Sequence, residues 1–167
     1  MLSNPRPRVL CVDDDEDSRV MLITLLKLAS IEAKAVATAA EALSVIQTEH
    51  FDLCMLDGRL PEMDGFELCR QMRAVDSHIP ILFFSGAAYA SDKKKGIAAG
   101  ADAYITKPDT DELLGLVEQF TSHVGRAVFR QTPWAGERPG FGLAMHARGR
   151  GWKRLQLQSA ELSVVSK

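Results

Sequence analysis

Cysteine is scarce in this chain. There are three, Cys11, Cys54 and Cys69, an odd number without the paired spacing of a zinc site. A disulfide framework is therefore excluded. Cys11 and Cys54 sit inside apolar runs, so the expectation is buried free thiols in a reducing, cytoplasmic setting. Long hydrophobic runs are also missing: nothing approaches the ~20 apolar residues that span a bilayer. Met1 to Arg8 carries Pro5 and Pro7 and lacks the apolar core of a cleaved leader. The four histidines, His50, His78, His123 and His146, show no metal-ligand spacing.

Net charge is nearly absent too, at −2 over 167 residues, but that total conceals an asymmetry. Residues 1–125 hold 12 Lys/Arg against 20 Asp/Glu, a balance of −8. Residues 126–167 hold 8 Lys/Arg against only Glu137 and Glu161, a balance of +6. A reversal this sharp marks a domain boundary near residue 125. The tail also carries Pro133, Pro139, Gly136, Gly140, Gly142, Gly149 and Gly151, which interrupt any long helix. It reads as a basic, flexible arm, in which Trp152, Leu155, Leu162 and Val165 allow at most one weak amphipathic helix.

What the first part does contain is a globular composition and a strict alternation of elements. Hydrophobic residues are 46% of the chain and charged residues 25%, which excludes wholesale disorder. Five short apolar runs appear: Arg8–Val12, Ala33–Ala37, Phe51–Leu56, Ile79–Ser85 and Ala103–Thr106. Most are continuous rather than alternating, the pattern of strands buried on both faces of a parallel sheet. Helical stretches lie between them. Ser18 to Ala29 places Val20, Ile23 and Leu26 near one face, with Leu22, Leu25 and Leu28 beside it. Thr38-Ala39-Ala40-Glu41 is a capping box opening a helix that runs to about Glu49. Asp64 opens another, with Leu68, Met72 and Val75 at helical spacing. Ser91 to Ala99 is a short helix stopped by Gly100, and Asp109-Thr110 starts the last, in which Leu113, Leu114, Val117 and Phe120 recur. The expected fold class is α/β, a five-stranded parallel sheet with helices on both faces.

In such folds functional groups gather at the carboxyl ends of the strands. Those ends carry Asp13-Asp14-Asp15, Asp57, Ser85-Gly86 and Thr106-Lys107-Pro108. Taken singly, each has an ordinary reading: a helix cap, a turn, a loop hydroxyl, a surface charge. Together they put three carboxylates, a hydroxyl and an ammonium on one rim. Neighbouring carboxylates disfavour each other's ionisation, so positive charge is required beside them. Lys107 supplies one charge, and a hard, oxygen-bound divalent cation of the Mg²⁺ type supplies the rest. A carboxylate so placed is suited to attack a phosphoryl group and form an aspartyl phosphate.

These motifs resemble the receiver domain of two-component response regulators. The resemblance rests on Val12-Asp13-Asp14, on Asp57-Gly58-Arg59-Leu60-Pro61-Glu62-Met63-Asp64-Gly65, on Ser85-Gly86 and on Tyr104-Ile105-Thr106-Lys107-Pro108, and it covers about 115 residues. It implies a flavodoxin-like (βα)5 fold with strand order 2-1-3-4-5. It implies Asp57 as phosphoacceptor, Asp14 as direct Mg²⁺ ligand, Asp13 holding the ion through water, and the backbone carbonyl of Arg59 as a further ligand. It implies that Ser85 bonds a phosphoryl oxygen, that Lys107 pairs with the phosphate ahead of a cis bond to Pro108, and that Tyr104 is the switch aromatic. The implied donor is a sensor histidine kinase or a histidine phosphotransfer protein. The implied readout is binding of a downstream protein on the face made by the fourth helix, fifth strand and fifth helix.

By the same resemblance the chain is a phosphoacceptor that catalyses its own phosphotransfer and autodephosphorylation, and not a turnover enzyme. The alternative is a DNA-binding transcriptional regulator using the basic tail. The tail has no helix-turn-helix pair, which argues against nucleic acid as a partner. The run Lys93-Lys94-Lys95 reads as a solvated face. A phosphatase using an aspartyl phosphate needs a second acid two residues after its nucleophile, and position 59 is Arg.

Overall fold

The computed structural model describes residues 6–122 together with Arg126 and Ala127. Five strands alternate with five helices: β1 (Arg8–Val12), α1 (Glu16–Leu28), β2 (Glu32–Val36), α2 (Ala39–Thr48), β3 (Leu53–Leu56), α3 (Gly65–Val75), β4 (Ile81–Ser85), α4 (Ala90–Ala98), β5 (Ala103–Thr106) and α5 (Thr110–Thr121). The strands form one sheet in the order β2-β1-β3-β4-β5, and every neighbouring pair is parallel. This is the expected α/β flavodoxin-like architecture.

The continuous apolar runs are explained by two cores, one on each face of the sheet. Alternate residues of a strand point to opposite faces. Accordingly Leu10, Val12, Cys54, Leu56, Ile81 and Phe83 join the core under α2 and α3. Val9, Cys11, Leu53, Met55, Leu82 and Phe84 join the core under α1 and α5. All three cysteines are buried free thiols, and burial pushes the Cys11 and Cys69 thiols up to about 12.

Local chemistry sets the element ends. Thr38 caps α2 by accepting the Glu41 N–H at 3.2 Å, while Glu41 reaches back to the Ala37 N–H at 3.0 Å. β2 is the edge strand and ends at Val36 rather than at Ala37, whose N–H faces away from β1 and is met by Glu41. β4 starts at Ile81, two residues later than the apolar run. Pro80 has no N–H to give, and the Ile79 N–H goes instead to Asp76 Oδ1 at 3.1 Å. Gly100 ends the α4 segment at φ +111°, a conformation that favours glycine.

Two expectations about helix faces are corrected. In α1 the buried residues are Leu22 and Leu26, while Val20, Ile23 and Leu28 are exposed. Two sets of apolar residues share this helix, and spacing alone does not say which faces the sheet. In α3 Leu68 and Met72 are buried but Val75 is exposed, because the helix ends there. The basic tail lies outside the described residues except for Arg126 and Ala127. Arg126 Nη1 stands 3.5 Å from the buried carboxylate of Asp52, which also accepts the Arg8 N–H at 2.9 Å.

A buried ion pair ties elements together at the end of the sheet remote from the rim. Arg73 Nη2 donates to Asp102 Oδ2 at 2.6 Å, while Nε donates to the Gly100 carbonyl at 2.8 Å and Nη1 to the Ile79 carbonyl. Asp102 Oδ2 also accepts the Ile81 N–H at 2.9 Å. One guanidinium thus joins α3, the start of β4 and the turn before β5. Arg73→Met strips the Asp102 carboxylate of that partner. It is expected to cost about 3 kcal/mol in urea unfolding with the denaturant slope unchanged; a loss below about 1 kcal/mol would contradict the role given to the pair.

Candidate functional site at the carboxyl ends of the strands

β1 is hydrogen-bonded between β2 and β3, so the residues that follow β1 and β3 emerge side by side. The Asp13 N–H donates to Val36 O at 3.2 Å, and the Asp57 N–H donates to Val12 O at 2.8 Å. These bonds extend the ladder one step past each strand and deliver both carboxylates to the same rim. Asp13 is buried at 1% exposure, whereas Asp14 is exposed. Asp15 caps α1 by accepting the Ser18 N–H at 2.7 Å, and that bond lowers its pKa.

Lys107 enters from the far side of β4. Its N–H donates to Ser85 O at 3.0 Å, and its bond to Pro108 is cis. Its ammonium donates to Asp13 Oδ2 at 2.6 Å, to Asp57 Oδ2 at 2.8 Å and to Ser18 Oγ at 3.3 Å. Burial works against this ammonium, but the bonds to Asp13 and Asp57 outweigh it and hold its pKa above the usual lysine value. For Asp13 the balance goes the other way. Burial outweighs the bond from Lys107 and raises the carboxyl above the usual range.

Asp57 is well supplied with donors. Oδ1 accepts from Ser85 Oγ at 2.7 Å and from the Arg59 N–H at 3.0 Å, so both of its lone pairs are engaged. Oδ2 accepts from Lys107 alone among these bonds and keeps acceptor capacity. Ser85 is fully buried, and the Ala87 N–H lies 3.4 Å from its hydroxyl. Tyr104 is also buried, its hydroxyl donating to Ala87 O at 2.8 Å and its ring stacked on Phe83 with centroids 5.5 Å apart. The segment from β3 to α3 folds tightly over the site. A Cβ on Gly65 would lie 2.1 Å from Asp57 O, so that approach requires glycine.

One carboxylate oxygen from each of Asp13, Asp14 and Asp57 lies within 4.8 Å of the other two. Among the described residues this is the one such grouping of His, Cys, Asp or Glu. Its donors are all hard oxygens, and one of the three acids opens to solvent. That chemistry fits a small divalent cation that keeps part of its water shell. The structure therefore brings together Asp13, Asp14, Asp57, Ser85, Tyr104 and Lys107, and sets the Arg59 peptide beside Asp57. Sequence reasoning missed Ser18 and Arg19. Arg19 Nη1 donates to the carbonyls of both Asp13 and Asp14 at 2.8 Å. Their position in the first turn of α1, just after the acid run, is the only signal that pointed to them.

Comparison with known proteins gives a consistent picture. The family model described as the response regulator receiver domain matches residues 9–118. The chain is 37% identical over 150 residues to the sensor histidine kinase GacS of Pseudomonas protegens, covering 86% of this chain and 16% of that protein. It is 32% identical over 139 residues to the response regulator MprA of Mycobacterium ulcerans, covering 83% and 56%. It thus spans about a sixth of that kinase and about half of that regulator. Among solved structures, a CheY-like receiver domain protein from Methanospirillum hungatei superposes with a TM-score of 0.65 at 32% identity, over 69% of this chain and 93% of that one. A response regulator from Chloroflexus aurantiacus gives 0.67 at 32% identity, over 70% and 98%.

The raised pKa of Asp13 has a consequence for stability. The folded state holds that proton more tightly than the unfolded chain does, so ionising Asp13 costs folding free energy as pH rises through the carboxylate range. Asp13→Asn removes the cost. Without divalent cations, its melting temperature is expected to exceed the parent's at pH 7. The difference should shrink as pH falls and Asp13 protonates in the parent. A variant that melts lower than the parent at pH 7 contradicts this balance.

Proposed function

The chain belongs to the response regulator receiver domain family, and on that premise we propose that it takes a phosphoryl group onto Asp57. The observation that carries this reading is the environment of one carboxylate. Asp57 meets Lys107 through one oxygen and Ser85 through the other, beside two further acids that suit a divalent cation. The donor is a phosphohistidine on a sensor kinase or a phosphotransfer protein. In the transfer, a bond forms between an Asp57 oxygen and phosphorus while the phosphorus–nitrogen bond to the donor imidazole breaks.

The residues that would hold Mg²⁺ are Asp13, Asp14, Asp57 and the Arg59 carbonyl. When bound, the ion supplies positive charge for the phosphoryl oxygens. The chain's own groups do the rest. Lys107 and Ser85 already donate to the two Asp57 oxygens and pass to the phosphoryl oxygens as these arrive. The phosphate adds roughly −1.5 to −2 charge where one carboxylate stood. That draws the Ser85 hydroxyl outward and with it the loop leading to α4.

Tyr104 reports on that loop through its bond to the Ala87 carbonyl. Its inward position supports a resting protein that already samples the switched arrangement, so phosphorylation shifts a population rather than creating a new state. The output is protein–protein binding on the face of α4, β5 and α5. In this reading residues 1–125 are the receiver and residues 126–167 an appended basic segment. The protein acts as a phosphoacceptor and not as a turnover enzyme.

The test uses the full chain with Mg²⁺ and a small acyl or amide phosphodonor. One acid-labile phosphoryl group per chain is expected, and none on Asp57→Asn. Labelling of Asp57→Asn at the parent level would falsify the assignment.

A further inference from the structure

The acidic loop after β1 has a brace that comes from α1. Arg19 Nη1 carries two hydrogens, and both are used: one on the carbonyl of Asp13 and one on the carbonyl of Asp14, each at 2.8 Å. The same four-residue segment is pinned from three other sides. The Asp13 N–H is held by Val36 O, the Asp15 N–H by Asp13 Oδ1 at 3.0 Å, and the Arg19 N–H closes the first helical turn on Asp15 O at 3.1 Å. Among the described residues, Arg19 is the one side chain that ties both acidic residues of the pair through their backbone. With the two carbonyls held on a single nitrogen, neither peptide can rotate without breaking a charge-assisted hydrogen bond.

We infer that Arg19 is a positioning residue for cation binding, fixing the Asp13 and Asp14 backbone so that their carboxylates converge with Asp57. The inference rests on the reading of Asp13 and Asp14 as cation ligands and adds to it a residue that touches neither cation nor phosphate. Partners that orient ligands in this way typically change metal affinity 10- to 100-fold when removed. Arg19 is well suited to the task because its guanidinium stays charged and planar and donates in fixed directions.

Two effects of Arg19 oppose each other, and this makes the inference testable by sign. As a cation beside an acidic cluster, Arg19 repels Mg²⁺, so deleting its charge alone tightens binding. As a brace, it orders the ligands, so deleting it weakens binding. The experiment titrates the full chain with MgCl2 and follows the amide NMR shifts of residues 13–15 and 57. The parent is compared with Arg19→Met and Arg19→Gln. Met keeps the apolar stem without donors, and Gln keeps a polar head that ends short of the carbonyls. Melting of each protein without Mg²⁺ shows whether it is folded at the titration temperature, and Arg19→Gln carries the test if Arg19→Met is not.

The expected result is a Mg²⁺ dissociation constant about tenfold higher in the variants, with phosphorylation of Asp57 restored at high Mg²⁺. An unchanged or lower dissociation constant in a folded variant overturns the inference, even where the variant melts earlier than the parent. A parent that does not respond to Mg²⁺ sinks the cation-site reading and this inference with it. A parent that responds, with a variant that binds equally well, sinks the inference alone.

Discussion

One ammonium holds the site together. Asp13 and Asp57 follow adjacent strands and their carboxylates repel each other, so positive charge between them is needed to offset that repulsion on one rim. Lys107 meets that need with bonds of 2.6 and 2.8 Å. It does so from the edge of the sheet: β5 lies beyond β4, so the side chain must cross one strand to reach β3 and a second to reach β1. Strands lie about 4.8 Å apart, so a long lysine side chain covers part of the distance and the Asp57 and Asp13 side chains meet it. Its ammonium passes 5.8 Å from the Phe84 ring on the way. The strand order, the loop after β5 and the length of lysine are thus parts of one constraint.

The same rim is in mechanical contact with a distant surface. Ser85 Oγ touches Asp57, the Ala87 N–H touches Ser85 Oγ, and the Ala87 carbonyl receives the Tyr104 hydroxyl. Tyr104 in turn lies under α4 at a point where the helix has no side chain. A Cβ on Gly96 would stand 2.8 Å from the Tyr104 ring and 3.1 Å from Phe83. The helix packs directly on the two aromatics, so a change in either ring is felt by α4. Packed interiors transmit small displacements because they leave no slack.

Much of this was legible in the residues. The continuous apolar runs identified a parallel sheet because a strand buried on both sides needs apolar residues at both parities. The polar residues at the run ends marked the rim, and the caps at Thr38, Asp64 and Asp109 marked where helices begin. The rest depended on tertiary context. Spacing in α1 allowed two apolar faces, and only packing against the sheet selected Leu22 and Leu26 over Val20 and Ile23. Nothing local to Arg73 says that Asp102 and the Gly100 carbonyl will meet it. Ser18 and Arg19 were marked only by their place just after the acid run, for the same reason. Their partners are a lysine far along the chain and two backbone carbonyls, neither of which leaves a pattern in side-chain chemistry.

The central claim is that the carboxylate between Lys107 and Ser85 is the one that becomes phosphorylated. Borohydride reduces an aspartyl phosphate to homoserine, which marks the modified residue permanently. The phosphorylated full chain, reduced in this way and mapped by tandem mass spectrometry, should carry a single homoserine, at position 57. Homoserine at position 13 or 14 instead, or none in a protein that has taken up acid-labile phosphate, would contradict the account.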